Sequence, residues 1–470
     1  MCSFLICALI AATYLPGEGD FEVSVYQTSG RRAFREILTT PFTPHAYTNR
    51  VPIDVDGAEC RGRFTGLGVS LTDASAWTLD RLSPERRRQV LEMVFSKEKG
   101  AGLGGVRLNI GSSDYSTALY NYNEIAGDVE MKHFDLSRDD HWLVPMAKAV
   151  KVVNPEVFFF AAPWSPPSWM KTTGNFVDGH FKDGMEEAYA NYLAAYVREM
   201  AKRGIEIGAV TAQNEAALST HGSYPSCVFS AEQEAGVAKR FHAKLRAEGR
   251  ATKVWLWDWD YHGADKRLWE QLQDADLVKV LGGIAWHSYG PGEEKMWKLK
   301  KEFPSIPFYH TEMGPAGHDP TRTEYWWAKK LRDAFENGCE AFTGWNLCLD
   351  EDGMPLTGPH LCMGLVTVDS VSGEITPSCQ YNLFRHIGPF VRKGAAVLRA
   401  KGDFNGTRSM LFRNPDGSYV LVVASEGVGV KKGINWEPRP AIYVKCAGRY
   451  KHLPLPYQTW SVTTMVFKRK

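Results

Sequence analysis

A chain of 470 residues with 44% hydrophobic and 23% charged residues has the composition of a folded globular protein, which excludes disordered and collagen-like classes. Lys and Arg total 55 against 54 Asp and Glu, a formal charge of +1, and no basic stretch offers a footprint for nucleic acid or an anionic membrane. A neutral or weakly charged ligand fits this balance, and the 15 Trp suit a protein that stacks on flat apolar ligand faces.

Residues 1–20 hold an apolar run, Phe4 to Ala12 (FLICALIAA), followed by the turn-forming Pro16-Gly17-Glu18-Gly19-Asp20. The run has the character of a signal-peptide core, although no Lys or Arg precedes it, and it predicts a secreted, periplasmic or extracellular protein. It is too short to span a bilayer, and no later run reaches the roughly 18–20 apolar residues a membrane helix needs, so no integral membrane association is expected. Residues 21–30 (FEVSVYQTSG) alternate like an antiparallel strand, as do SYVLVVAS and AIYVKCAG in the tail. A small β-domain assembled from both chain ends is expected, with parts at 21–62 and 393–470.

Between them, over 63–392, one theme repeats: a short apolar run, then a longer stretch with helical periodicity. The runs are Phe64–Leu71, Gly105–Ile110, Val157–Pro163, Ile207–Ala212, Lys253–Trp257, Gly283–Trp286, Ile306–Thr311 and Ala341–Trp345. Several, such as VFFFAAP, are apolar throughout, as strands buried on both faces require. Helical patterns cover Pro84–Ser96, Asp140–Val152, Glu186–Lys202, Ala231–Ala247, Lys266–Val278 and Tyr325–Asn337, with Gly204 and Gly338 placed to end two of them. Eight such units predict an α/β fold, a (β/α)8 TIM barrel, whose active site lies at the strand C-termini.

Cys2 and Cys7 fall in the presumed leader, leaving seven others, an odd number with no C-x-x-C spacing; no H-E-x-x-H occurs either. No metal and no cofactor is expected.

Two acids stand at the predicted strand ends. Glu215 follows the fourth run in AVTAQNEAA, with Asn214 before it, and Glu312 follows the seventh in PFYHTEMG. In a barrel these ends face each other across the mouth, the arrangement that glycoside hydrolysis with retention needs: one carboxyl protonated for the leaving group, one ionised to attack the anomeric carbon. Either Glu alone would read as a solvated loop residue; the register of both makes the pair specific.

The chain resembles glycoside hydrolase family 30 over most of its length, through FTGLGVSLTDASAW (64–77), VRLNIGSSDYS (106–116), AAPWSPPSWMKTTG (161–174), VTAQNE (210–215), SCVFSAEQE (226–234), IAWHSY (284–289), HTEMG (310–314) and GWNLCLD (344–350). The resemblance implies a glucosylceramidase-type retaining β-glycosidase acting on β-linked glucosides, with a carbohydrate or glycolipid substrate. Endo-β-1,6-glucanase and β-xylosidase chemistry share the same barrel, and a carbohydrate-binding pseudoenzyme is the non-catalytic alternative. It further implies that Arg107 supports the nucleophile, that Asp114, Asn214 and Asn346 contact sugar hydroxyls, and that Trp164 and Trp345 line the pocket. Trp77 is a further candidate for that lining, and Asp73 reads either as a sugar ligand or as a cap. Tyr289 is placed to hydrogen-bond Glu312, and His287 to hold the adjoining wall. Trp259 and Tyr261, expected just beyond strand five, are subsite candidates. Two positions depart from the family pattern: Ala216 stands where Pro usually follows the acid/base Glu, and the segment DEDGMPLTGPHL (350–361) is unlike its counterparts.

Overall fold

Eight short strands, apolar on both faces, close into a parallel barrel in a computed structural model that describes residues 21–30, 32–44, 51–314, 322–399, 401–402, 406–427, 441–456 and 459–470. The leader expected over 1–20 lies outside the described residues. In chain order the strands are β1 (Gly66–Leu71), β2 (Gly105–Ile110), β3 (Phe158–Pro163), β4 (Ile207–Thr211), β5 (Lys253–Trp259), β6 (Leu281–His287), β7 (Phe308–Glu312) and β8 (Cys339–Gly344). Each pairs with the next in parallel, and the Ala341–Gly66 register between β8 and β1 completes the ring. Inside it, Phe160, Ala209, Trp255 and Ala285 pack with Tyr309, so the barrel is a filled core and not a channel.

Most predicted helices form within a residue or two of their expected ends. Pro84–Phe95 begins on a Ser83 cap with Pro at its first position, and Gly204 and Gly338 take the left-handed conformation past two others. The expected helix Lys266–Val278 does not form as one piece. Its stretch divides into short turns over Ala264–Leu268 and Trp269–Gln271, and then Asp274 caps a new helix, Ala275–Val280, by accepting from Asp276 N and Leu277 N. Local capping by a short carboxylate outcompeted a continuous apolar stripe. Three helices escaped the pattern: Asp73–Asp80, Glu294–Glu302 and Cys379–Ile387. In Glu294–Glu302 only Met296 and Leu299 are buried, too little apolar signal to stand out among lysines.

A second unit joins both chain ends. In its seven-stranded antiparallel sheet, Phe21–Ser29 pairs along its length with Ser461–Arg469, and Glu59–Phe64 forms one edge against Ala395–Arg399. Phe64 therefore ends a sheet strand and does not begin β1; the chain turns at Gly66, whose φ of +152° a side chain would disfavour. The helix Cys379–Ile387 fastens this sheet to the barrel through buried His386, which meets Thr28 and Thr464 at 2.9 Å each. Burial, helped by Arg385, holds that imidazole down to about 3, so it bonds as a neutral ring. No described helix is long and apolar enough to cross a membrane. The seven cysteines of the described residues remain thiols.

Beside the helix Glu186–Lys202, Tyr122 donates to Asp139 at 2.7 Å and stacks on Tyr192 and Tyr196. Burial pushes the Asp139 carboxyl from 3.8 up to about 7, against the hydrogen bond from Tyr122, with Asp73 and Asp140 adding repulsion and Arg138 opposing it. An acid raised in the folded state favours folding only while protonated. Stability from this group should fall by up to roughly 4 kcal/mol as pH rises from about 4 to 7. Asp139→Asn should flatten that slope in denaturant midpoints measured across the interval; an unchanged slope would refute the assignment.

Candidate active site

Arg107, on β2, points its guanidinium into the barrel at the level where the strands end, and is fully buried. It bonds Glu312 Oε2 through Nη1, while Nη2 reaches Asp258 Oδ2 and Asn214 Oδ1 at 2.8 Å each. Its face lies 4.7 Å from the Trp164 ring and 5.7 Å from that of Trp345, and the two indoles stack at 5.3 Å. One cation thus joins three strand ends and two pocket walls. The Asn214 oxygen is committed to Arg107, which orients its amide with the N–H groups as the donors.

Asp258 is the anion behind this frame. Burial would raise its pKa, but Arg107, His287 and Thr311 hold it well below the ordinary carboxylate range. Thr211 at 2.8 Å and Thr311 at 2.6 Å donate to it as well. His287, ending β6, spans the site: Nδ1 lies 3.0 Å from Glu215 Oε1 and Nε2 3.2 Å from Asp258 Oδ1. Burial opposes charge on this ring, but Glu312, Asp258 and Glu215 overcome it and raise its pKa to about 10. With a carboxyl at each nitrogen, a doubly protonated ring satisfies both contacts.

Glu312 is the last residue of β7, and Tyr289 donates to its Oε1 at 2.9 Å. Glu215 sits four residues past the end of β4, on a left-handed turn with φ 48°, and its backbone N–H bonds Asp258 O at 3.0 Å. Trp257, Asp258 and Asn346 also have positive φ, at 81°, 44° and 47°. Strained backbone therefore gathers where β4, β5 and β8 end, a cost sustained only where the surroundings over-determine it. Burial raises the Glu215 carboxyl, with the negative charge of Glu312 adding to it and His287 and Arg107 opposing.

The remaining expected residues divide. Asp114 stands close enough to Glu215 and Glu312 for their charges, after burial, to raise its carboxyl well above normal. Trp164, Trp345 and Tyr115 share one buried cluster with Tyr224. Asn346 is buried, with its oxygen accepting from Thr72 at 2.9 Å and its Nδ2 without a partner among the described residues. Asp73 serves structure: it takes Arg138, Trp142 and Thr117 at the start of the helix Asp73–Asp80. Trp77 stacks under Arg81 outside the pocket cluster. Trp259 belongs to β5 itself and packs on Trp257, and Tyr261 is 1% exposed against Trp286. Tyr261 is a core residue, and β5 runs two residues further than its apolar pattern suggested.

Sequence reasoning passed over Asp258 and Tyr224 and gave His287 a wall role only. Asp258 sits between tryptophans, and an Asp in an apolar strand at a predicted C-terminus was the available signal. Tyr224 lies in a long loop with nothing local to mark it. Its phenol faces Glu215, Asp114 and Glu312, whose charges add to burial in raising its pKa.

Ligand-type atoms of Glu215, His287 and Glu312 all lie within 4.8 Å of one another. A divalent cation there would meet a charged imidazole and the Arg107 guanidinium, so the cluster suits acid/base chemistry better than metal binding.

A closed parallel barrel with two Glu carboxyls brought together, one just past strand four and one ending strand seven, is the arrangement of the barrel glycosidases. Residues 64–382 match the model of the glycosyl hydrolase family 30 TIM-barrel domain, and the chain belongs to that family. It is 27% identical to an endo-1,6-beta-D-glucanase of Neurospora crassa over 81% of this chain and 82% of that protein. It is 23% identical to the lysosomal acid glucosylceramidase of Mus musculus over 90% of this chain and 86% of that protein. Among solved structures, SrfJ from Salmonella typhimurium superposes with a TM-score of 0.85 at 22% identity, covering 96% of this chain and 100% of that one, a likeness of fold.

Removing the Arg107 charge strands two buried carboxylates. Arg107→Met should lower unfolding free energy by about 3–5 kcal/mol, read from chemical denaturation, with loss of activity even under conditions where the variant is folded. A loss below about 1 kcal/mol, the size of an exposed ion pair, would refute its central position.

Proposed function

We propose that this chain is a retaining β-glucosidase that works by double displacement, with Glu312 as nucleophile and Glu215 as general acid/base. The observation carrying the reading is the carboxyl pair itself. One oxygen of each carboxyl lies within 4.8 Å of the other, an approach compatible with the about 5–5.5 Å carboxyl separation of retaining enzymes.

The surroundings supply a division of labour. Arg107 and Tyr289 bond Glu312 and position it to attack the anomeric carbon. Glu215, raised by burial and by the Glu312 charge, keeps a proton for the departing oxygen. Once Glu312 is esterified by the sugar its charge is gone, so the Glu215 pKa falls. The same residue can then take a proton from water in the second step. Asn214, anchored by Arg107, offers an N–H to the 2-hydroxyl, Asp114 and Asn346 serve other hydroxyls, and Trp164 with Trp345 covers an apolar sugar face. Two cations, Arg107 and His287, offset two anions, Asp258 and Glu312, which leaves a site suited to a neutral sugar.

A terminal β-glucoside, including a glycolipid, is the first substrate class; internal β-1,6-glucan links are the second reading, favoured by the Neurospora crassa relative's activity. The apolar run at Phe4–Ala12 supports export, and the mass of secreted mature protein should show the first 20 or so residues removed; a secreted protein that retains them would overturn this.

On aryl β-glucosides, Glu312→Gln should lose at least roughly a thousandfold in kcat. Glu215→Ala should spare substrates with acidic phenol leaving groups far more than those needing protonation. NMR of the first-formed sugar should show the β-anomer; an α-anomer would rule out double displacement. Parallel assays on β-1,6-glucan, aryl β-xylosides and glucosylceramide decide among the substrate classes.

A further inference from the structure

The segment 350–361 after β8 packs on the pocket at Asp114. Thr357 N donates to Asp114 O at 2.6 Å, and its hydroxyl donates to Ser113 O and Asp114 O at 3.0 and 2.9 Å. Tyr115 OH donates to His360 O at 2.9 Å. Gly358 lies so close that a Cβ there would stand 2.7 Å from Asp114 Cβ and 3.3 Å from Tyr224 Cβ. His360 sets its ring edge-on to Tyr224 at 5.8 Å.

Tyr224 is fixed from behind. Thr220 donates to its carbonyl at 3.1 Å. Fully buried Lys171, from the PPSWMK motif, donates to Ser226 O and Phe176 O at 2.7 Å each and to Ser165 Oγ at 2.9 Å. These bonds tie the loop carrying Tyr224 to the loop that follows Trp164. Exposure falls off in the same direction: Tyr289 is 42% exposed, whereas Asp114 and Tyr224 are 9% and Trp345 is 2%. The site opens past Tyr289 and is closed at Asp114.

We propose that Thr357–His360 and Tyr224 form a wall that limits the glycone site to one sugar, so the enzyme removes a terminal residue and rejects a sugar extended beyond it. This rests on the reading of Glu215 and Glu312 as the catalytic pair. The anomeric carbon lies between those carboxyls, the hydroxyls at the far side of the ring meet Asp114, and a second sugar attached there collides with Gly358 and Tyr224.

The test compares an aryl β-glucoside with the aryl β-gentiobioside and β-cellobioside of the same phenol, which add one glucose at O6 or O4. Initial release of intact disaccharide should be under roughly one hundredth of glucose release from the monoglucoside. Tyr224→Ala should raise that ratio at least about tenfold while Tyr224→Phe leaves it in place, because the wall needs the ring and not the hydroxyl. The ratio is internal to each variant, so a general loss of rate cancels; His360→Ala serves as a second opening if Tyr224→Ala does not fold. A wild-type ratio above that hundredth overturns the wall, as does a ratio unmoved in both opening variants. No turnover of the monoglucoside by the wild type would instead reject the catalytic reading.

Discussion

A guanidinium with no access to water must have anions beside it, and everything at the mouth of this barrel is arranged around that requirement. Arg107 takes Asp258 on one side and Glu312 on the other, with Asn214 and two stacked indoles closing the remaining directions. Such a group is costly to desolvate and favourable only when well paired; the ends of β4, β5 and β7 together supply partners for both terminal nitrogens. Disturbing one strand end therefore disturbs its partners.

His287 extends the frame to the second carboxyl. By touching both Asp258 and Glu215 it links the acid on the β4 turn to the same buried anion that Arg107 holds. The two glutamates sit differently within one cluster: Glu312 bonds the Arg107 guanidinium, while the Glu215 carboxyl is raised by burial and by the Glu312 charge, against His287 and Arg107. Two like groups a few ångströms apart thus meet different surroundings.

The loops add a separate level of control. The frame is built from strand ends, whose positions hydrogen-bonded register fixes, whereas the loops after β3, β4 and β8 are held beside it through individual bonds, many of them side chain to backbone. A barrel that keeps its frame and varies its loops keeps its reaction and changes its substrate.

The sequence by itself determined the period of the fold and the two acids. Apolar runs such as VFFFAAP and IGAVTA are legible because a strand buried on both faces has no polar positions, and Glu215 and Glu312 stand out because each follows such a run. That both chain ends contribute to one β-domain followed from alternation, whereas the pairing of FEVSVYQTS with Ser461–Arg469 came from the tertiary structure. Tertiary structure decided what local pattern cannot carry: that Lys266–Val278 breaks at the Asp274 cap, that β5 continues to Trp259, that Tyr261 is buried, and that Asp73 serves Arg138 and Trp142. It also decided the partners of Asp258, His287 and Tyr224, residues drawn together from three loops and strands far apart in the chain. The physical reason is that periodicity records which face of an element meets the core, while the identity of a buried charge's partner depends on strand ends brought side by side by barrel closure.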